Sequence, residues 1–302
     1  MWFWFSLIAL VCWSGSDLFS KIGCQDADDK YSHLKMVMAV GLVMGLHAAY
    51  EIFIGGTEIN GNIILTYLPV SLLYISSMTI GYIGLRYIEL SISSPICNSS
   101  GALVAVLALA TGGLGELVPA QLIATALVCV GVIGLGIVEA REDDDLRAAR
   151  QQASNHRYAK SALALILPVI YCLLDALGTF ADSRVLETLD EDSANCAYEL
   201  TFLLAAIVCF VYVVLIKKSK LLPKREAPKY AGALCETAGQ FAYIYALADT
   251  EHVALAAPII SAYCVASVLW SRIFLKEMLS WKHYGMIALV VAGIVILGVY
   301  DA

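Results

Sequence analysis

From Trp2 to Tyr300 the chain carries ten stretches of mostly apolar residues, each close to the length a helix needs to cross a bilayer. About 20 residues, rising about 1.5 Å each, cover the hydrocarbon core. The stretches are Trp2–Gly23, Leu34–Ile54, Leu65–Tyr87, Ser93–Leu114, Pro119–Glu139, Ser161–Ala181, Cys196–Ile216, Tyr230–Leu247, Val253–Phe274 and Tyr284–Tyr300. Inside lipid every backbone N–H and C=O must be bonded within the chain, which leaves helices or a closed barrel, and apolar runs of this length are helices. Composition agrees. Hydrophobic residues make up 60% of the chain and charged residues 15%, against about 45–50% and about 25% in soluble domains. Mean hydropathy is +0.77. The expected fold class is an all-α polytopic membrane protein of ten transmembrane helices.

The net charge of −7 is spread out, with no basic tract of the kind that binds nucleic acid. The nine cysteines form no C-x-x-C pair and sit mostly in apolar runs. That is the setting of small buried thiols, not of a disulfide framework or a metal site. Neither cofactor nor metal is expected. Trp2–Trp13 has no basic lead and no A-x-A cleavage pattern, so it reads as a first span and not as a removable signal.

Two longer polar connections, Ala140–Lys160 and Lys217–Lys229, read as solvated loops. The first holds Glu142, Asp143, Asp144 and Asp145, then Arg147, Arg150 and Arg157. It divides the chain into residues 1–140, a connecting loop 141–160 and residues 161–302, with five spans in each half. We call the side on which the chain starts the terminal side. The loops after the odd-numbered spans then lie on the opposite side. Of the 19 Lys and Arg residues, all but Arg184 fall near that opposite, basic side. Short cytoplasmic loops collect Lys and Arg. The basic side is therefore expected to be cytoplasmic, with both termini outside a plasma (inner) membrane.

Five spans per half is an odd number, so successive halves enter the membrane in opposite senses. That is the inverted-repeat architecture of many secondary transporters. Internal echoes support it. Trp13-Ser14-Gly15-Ser16-Asp17 in span one and Tyr171-Cys172-Leu173-Leu174-Asp175 in span six each set an aromatic ring four residues before an embedded Asp. Span four opens on Ser94-Pro95-Ile96, span nine on Ala257-Pro258-Ile259. Gly115-Glu116 and Lys276-Glu277 close these two spans.

The pattern resembles the drug/metabolite transporter superfamily in its ten-helix EamA-like branch. The segment Ala254-Leu255-Ala256-Ala257-Pro258-Ile259-Ile260 carries the resemblance most closely, followed by Phe274-Leu275-Lys276-Glu277-Met278-Leu279-Ser280 and a Gly-rich last span. Such motifs mark fold and not cargo: members carry amino acids, nucleotide sugars, sugar phosphates, choline-like cations and drugs. Many relatives are drawn with cytoplasmic termini, whereas the charge count here places them outside. In the resembling family the first, third, fourth, sixth, eighth and ninth helices line a central cavity. This implies that Trp13, Tyr74, Ser77, Asn98, Tyr171 and Tyr263 lie within reach of cargo.

A charge near the bilayer centre costs about 2.5–3.5 kcal/mol, so embedded acids normally face a cavity or a partner. Asp17 and Asp175 lie at mirrored depths and are candidates for substrate or proton binding; helix–helix hydrogen bonding is the alternative. Glu236 and Gln240 share a face of span eight, with Tyr243 three residues on. An acid, an amide and a phenol in one stripe suit a polar cavity wall. His47 and Glu51 are two residues of one helix, half a metal site at most, and with Glu199 read as surface or packing residues. Lys21 is expected to snorkel to the cytoplasmic surface or pair with a carboxylate.

The functional expectation is a secondary active transporter that moves a small polar metabolite, cationic or zwitterionic, by alternating access. An alternative is an exporter of amino acids or drugs by proton exchange. No phosphate-cradling G-x-x-x-x-G-K-[ST] sequence is present, so ATP hydrolysis is not expected. An intramembrane enzyme would need a nucleophile–base or metal motif, and neither G-x-S-x-G nor H-E-x-x-H occurs. For a scaffold, embedded acids would be an unneeded cost. Expected partners are a small-molecule substrate, the lipid bilayer and protons, with no nucleic acid. A monomer is expected, a homodimer being the alternative.

Overall fold

The computed structural model describes residues 1–26, 28–111, 119–140, 162–276 and 279–301. The expected loop 141–160 lies outside the described residues, as do Gly115, Glu116 and Glu277. The described residues contain helices and no strand. In chain order the helices are α1 (Trp2–Cys24), α2 (Ser32–Tyr50, continued by a wider turn at Glu51–Gly55), α3 (Gly61–Tyr87), α4 (two pieces, Leu90–Cys97 and Ser100–Ala110) and α5 (Pro119–Ala140). Then follow α6 (Ala162–Val185), α7 (Glu191–Phe210, continued by Val211–Ile216), α8 (Pro223–Leu247), α9 (two pieces, Val253–Ser261 and Tyr263–Trp270, continued by Ser271–Leu275) and α10 (Trp281–Asp301).

Seven of these are long and apolar enough to cross a membrane. The apolar parts of α4 and α10 are shorter, Ser93–Ala108 and Trp281–Leu297. Helix α8 begins with the charges Lys224, Arg225, Glu226 and Lys229. Trp4, Val11, Val106, Leu204 and Ile207 are all more than half exposed on the outside of the bundle. A soluble protein rarely exposes so many large apolar side chains, whereas lipid covers them readily.

Local chemistry sets the helix ends. The Asn60 side chain accepts from the N–H groups of Asn62 and Ile63 at the start of α3, and Asp190 accepts from Ser193 N at the start of α7. Pro223 occupies the first turn of α8, where its missing N–H costs nothing. Gly56 ends the α2 extension at φ 80°, a conformation glycine adopts without strain. In α4 and α9 the breaks follow Pro95 and Pro258 by one turn, at Asn98–Ser99 and at Ala262. Each proline removes one helical N–H donor and crowds the preceding turn.

The packing comes in matched pairs. Helix α1 lies mostly against α8, and α3 against α6; α2 packs on α8, and α3 on α7. Exchanging α1 with α6, α2 with α7 and α3 with α8 turns each contact into its mate. Helices α2 and α7, α4 and α9, and α5 and α10 pack on their own counterparts. Contacts that map onto one another in this way are what a twofold relation between the first five helices and the last five produces. The relation reaches single residues. The shift in numbering that carries Trp13 onto Tyr171 and Asp17 onto Asp175 also carries Gly81 onto Gly239. A Cβ added at Gly239 would meet the Trp13 ring at 2.4 Å, and one added at Gly81 would meet the Tyr171 ring at 2.9 Å. Each glycine thus seats the aromatic ring of the other half.

At the basic side the sequence expectation needs correction. The segment Lys217–Lys229 was expected to be a solvated loop, but α8 starts at Pro223, and Glu226 and Lys229 are buried. Lys35 Nζ meets Asp29 at 2.9 Å and Glu226 at 3.5 Å, and Lys229 Nζ meets Glu226 at 3.0 Å. Alternating signs let the four charges be buried together. Lys21 does not snorkel: it is fully buried, and its Nζ donates to the carbonyls of Leu85 at 2.7 Å and Ile88 at 2.6 Å. It caps the C-terminal end of α3, where the helix dipole favours a cation. Removing one member of a buried charge cluster leaves the others uncompensated, at about 3–5 kcal/mol. Lys229→Met is therefore expected to lower the unfolding temperature of the detergent-solubilised protein sharply, and Glu226→Leu added to it should restore part of the loss.

Candidate functional site

Helices α1, α3, α4, α6, α8 and α9, with Tyr198 of α7, surround a central cavity. Of the residues singled out from the sequence, Trp13, Asp17, Tyr74, Asn98, Tyr171, Asp175, Glu236, Gln240, Tyr243 and Tyr263 all line it. Ser77 does not. It is buried within α3, and its Oγ donates to the Tyr74 carbonyl at 2.8 Å.

The cavity acids are held by serines. Asp17 Oδ2 accepts from Ser94 Oγ at 2.5 Å and from Ser267 Oγ at 2.7 Å. Asp175 Oδ2 accepts from Ser100 Oγ at 2.7 Å, and Glu236 Oε2 from Ser16 Oγ at 2.7 Å. Each acid therefore takes a hydroxyl from the other half of the chain. Ser267 stands on the second piece of α9 and Ser100 on the second piece of α4, so both broken helices are tied to an embedded acid. These bonds use one oxygen of Asp17 and one of Asp175, leaving the other without a hydrogen bond to a described residue. No Lys, Arg or His is among the described residues that line the cavity.

Aromatic rings form the rest of the wall. Trp13 lies 4.9 Å from Tyr243 and 5.8 Å from Tyr263, centroid to centroid. Gln240 Nε2 and Tyr82 OH are buried donors on the wall with no hydrogen-bond partner among the described residues. Buried donors of this kind are rare in a finished interior and favour a ligand that brings an acceptor.

At the terminal-side end of the cavity the hydroxyls of Tyr74, Thr179 and Tyr243 meet. Thr179 Oγ1 lies 3.2 Å from both phenol oxygens, and the two phenol oxygens are hydrogen-bonded to each other. Behind them lies Asp182, fully buried, accepting from Tyr67 OH at 2.7 Å and from Tyr74 OH at 3.3 Å. The sequence reading missed Asp182 because it ended span six at Ala181. The run Asp182-Ser183-Arg184 looks like the start of a loop, but α6 continues to Val185. The signal was the seven-residue step from Asp175 to Asp182, two helical turns along one face.

The residues read as surface or packing groups do meet. His47 Nδ1 lies 2.9 Å from Glu199, which is fully buried and also accepts from Asn195 Nδ2 at 3.1 Å. This pair joins α2 to α7 away from the cavity. Glu51 stands 3.7 Å from His47. The nine cysteines are free. Among the described residues, no group of three or more metal-ligating side chains gathers.

Residues 162–299 match the model of the EamA-like transporter family. The resemblance read from Ala254–Ile260 and the Gly-rich last span is borne out there: the second half of the chain is an EamA-like unit of the drug/metabolite transporter superfamily. This is a family of membrane transporters for small molecules, and the chain is a multi-pass membrane protein. Among solved structures, one described only as the crystal structure of a protein is similar over 98% of this chain and 96% of its own, with a TM-score of 0.64 at 12% identity. At that identity the likeness shows the fold. No curated protein matches the chain.

Proposed function

We propose that this chain is a secondary transporter that carries a small cationic or zwitterionic metabolite across the plasma membrane by alternating access. The observation that carries the reading is a cavity between the two halves that holds Asp17, Asp175 and Glu236 and, among its described lining residues, no cationic side chain. Three carboxylates in a low-dielectric site repel anions and attract an ammonium group. The ring faces of Trp13, Tyr171, Tyr243 and Tyr263 add cation–π attraction, about 0.5–2 kcal/mol per contact. The unpartnered donors on Gln240 and Tyr82 suit a carboxylate or hydroxyl of the same molecule, which favours a zwitterion within this class. Paired helix contacts and two proline-broken helices at the cavity support rocking of one half against the other. The basic residues Lys35, Arg86 and Arg225 gather around the α1–α2 connection, which supports a cytoplasmic basic side with both termini outside.

Counterflow in liposomes tests the reading. Purified protein is reconstituted, the vesicles are loaded with unlabelled compound, and labelled choline, betaine, neutral amino acids and an organic anion of matched size are offered. Exchange of the cation or a zwitterion, with the anion excluded, is the expected result. Exchange of the anion alone, or of neither cation nor zwitterion by folded protein, overturns it.

A further inference from the structure

Asp182 stands apart from the three cavity acids. It is fully buried, and it lies about 10 Å beyond Asp175 along α6 at about 1.5 Å per residue. Among the described residues, the titratable groups found to bear on it are phenols: Tyr67 and Tyr74 on α3, Tyr198 on α7 and Tyr243 on α8. Helix α4, which also packs on α6, carries no charged side chain between Leu90 and Thr111. Among the described residues no cation pairs with Asp182. The repeat relation gives it no acidic counterpart, since the shift that carries Asp17 onto Asp175 carries Cys24 onto Asp182. The two ends of the cavity therefore differ. Near the basic side the buried acids Asp29 and Glu226 are paired with lysines. At the terminal-side end of the cavity Asp182 is held by hydroxyls alone.

The hydrogen atoms in this cluster can be counted. With Asp182 ionised, Tyr67 and Tyr74 both donate to it, and Tyr74, its one hydrogen spent, accepts from Tyr243. Every hydrogen along the chain Tyr243–Tyr74–Asp182 then points toward the carboxylate. A proton on Asp182 must itself be donated, and the available acceptors are Tyr67 OH and Tyr74 OH. A proton donated to Tyr67 OH displaces Tyr67's own bond to the carboxylate; one donated to Tyr74 OH makes Tyr74 turn its hydrogen to Thr179 or to Tyr243, and in the latter case reverses the Tyr74–Tyr243 bond. That bond joins α3 of the first half to α8 of the second, across the end of the cavity.

We propose that Asp182 is a proton-binding site separate from the cargo site, and that a proton taken up there loosens the Tyr67–Tyr74–Tyr243 closure and opens the cavity toward the terminal side. The proposal rests on the reading of the chain as a transporter, but its test needs no cargo. Cys97 lines the cavity and serves as a native reporter. A membrane-impermeant thiol reagent is added from the terminal side of sealed vesicles, with the side fixed by protease access to an N-terminal tag, and labelling of Cys97 is mapped by mass spectrometry across pH. The infrared carbonyl band of protonated carboxyl groups is titrated on the same purified protein.

Divided by the labelling rate of the unfolded protein at the same pH, which removes the titration of the thiol itself, labelling of the native protein is expected to rise severalfold as the pH falls. In Asp182→Asn this ratio should be high and independent of pH, with one titrating carbonyl band lost. Tyr67→Phe keeps the acid but removes a donor to its ionised form, so labelling should rise at a more alkaline pH. This variant keeps the test decisive should Asp182→Asn fold poorly. If Asp182→Asn keeps the carbonyl band, or Cys97 labelling in either variant follows the native pH profile, the proposal is overturned. Failure of the counterflow panel above would leave these readouts standing, so the two ideas fail separately.

Discussion

The double variant Asp17→Asn/Asp175→Asn is expected to abolish counterflow of a cationic or zwitterionic probe, and each single change to weaken its binding about 10- to 100-fold. An interaction with a charged group contributes about 1.5–3 kcal/mol, and about 1.4 kcal/mol is a factor of ten in affinity. Asparagine has nearly the shape of aspartate, and its carbonyl can still accept from Ser94 and Ser267 at the first site and from Ser100 at the second. The fold should therefore hold, and the loss should appear in binding rather than in unfolding temperature. Thermal shift with added choline or betaine measures the single variants, and liposome uptake the double. Unchanged transport in both single variants would remove these acids from the site.

The second large effect is expected at Gly101. A Cβ there would sit 2.2 Å from Ser261 Oγ, 2.6 Å from Ser261 Cβ and 2.7 Å from the Ala257 carbonyl. Part of that obstacle is backbone, so a side-chain rotation does not relieve it. Gly101→Ala must push α4 away from α9 just where both helices are broken. Overpacking of this kind costs about 1–3 kcal/mol, and here it also bears on the two helices that hold the Asp17 and Asp175 hydroxyl partners. Lower thermal stability together with slowed counterflow is expected. Gly285, on α10, has nothing within 4 Å of an added Cβ, so Gly285→Ala is the matched control. It should be neutral or stabilising by about 0.5–1 kcal/mol, as alanine is for glycine within a helix. A Gly101→Ala protein as stable as the Gly285→Ala control would show that α4 and α9 yield at this point.

What was legible in the sequence is what hydropathy and helical spacing encode. Ten apolar runs gave the helices. Mirrored Asp positions and one polar stripe on α8, with the residues implied by the family resemblance, gave most of the cavity wall. What was not legible depends on partners distant in the chain. Ser94, Ser100 and Ser267 look like any small helix residue until α1 and α6 are laid beside them. Ser77 shares a helix with Tyr74 and points elsewhere, a distinction of less than one turn. Asp182 was lost to a boundary, because polar residues in the last turn of a helix resemble the loop that follows. Glu226 and Lys229 were lost for the same reason at the start of α8. The prolines were visible at the openings of spans four and nine, but a break one turn after each was not expected from them.

The pairing of α1 with α8 has a consequence for how the chain is made. Helix α1 finds its main neighbour, α8, only after the roughly two hundred residues between them have been synthesised. Until then Asp17 and Lys21 wait in the membrane without Ser267 and without α8 beside them. Helix α3, which later shelters Lys21 with its end carbonyls, arrives much sooner. Lys21 can thus be satisfied early and Asp17 late, so the order of synthesis gives the basic end of α1 an anchor before the acid at its centre has a home.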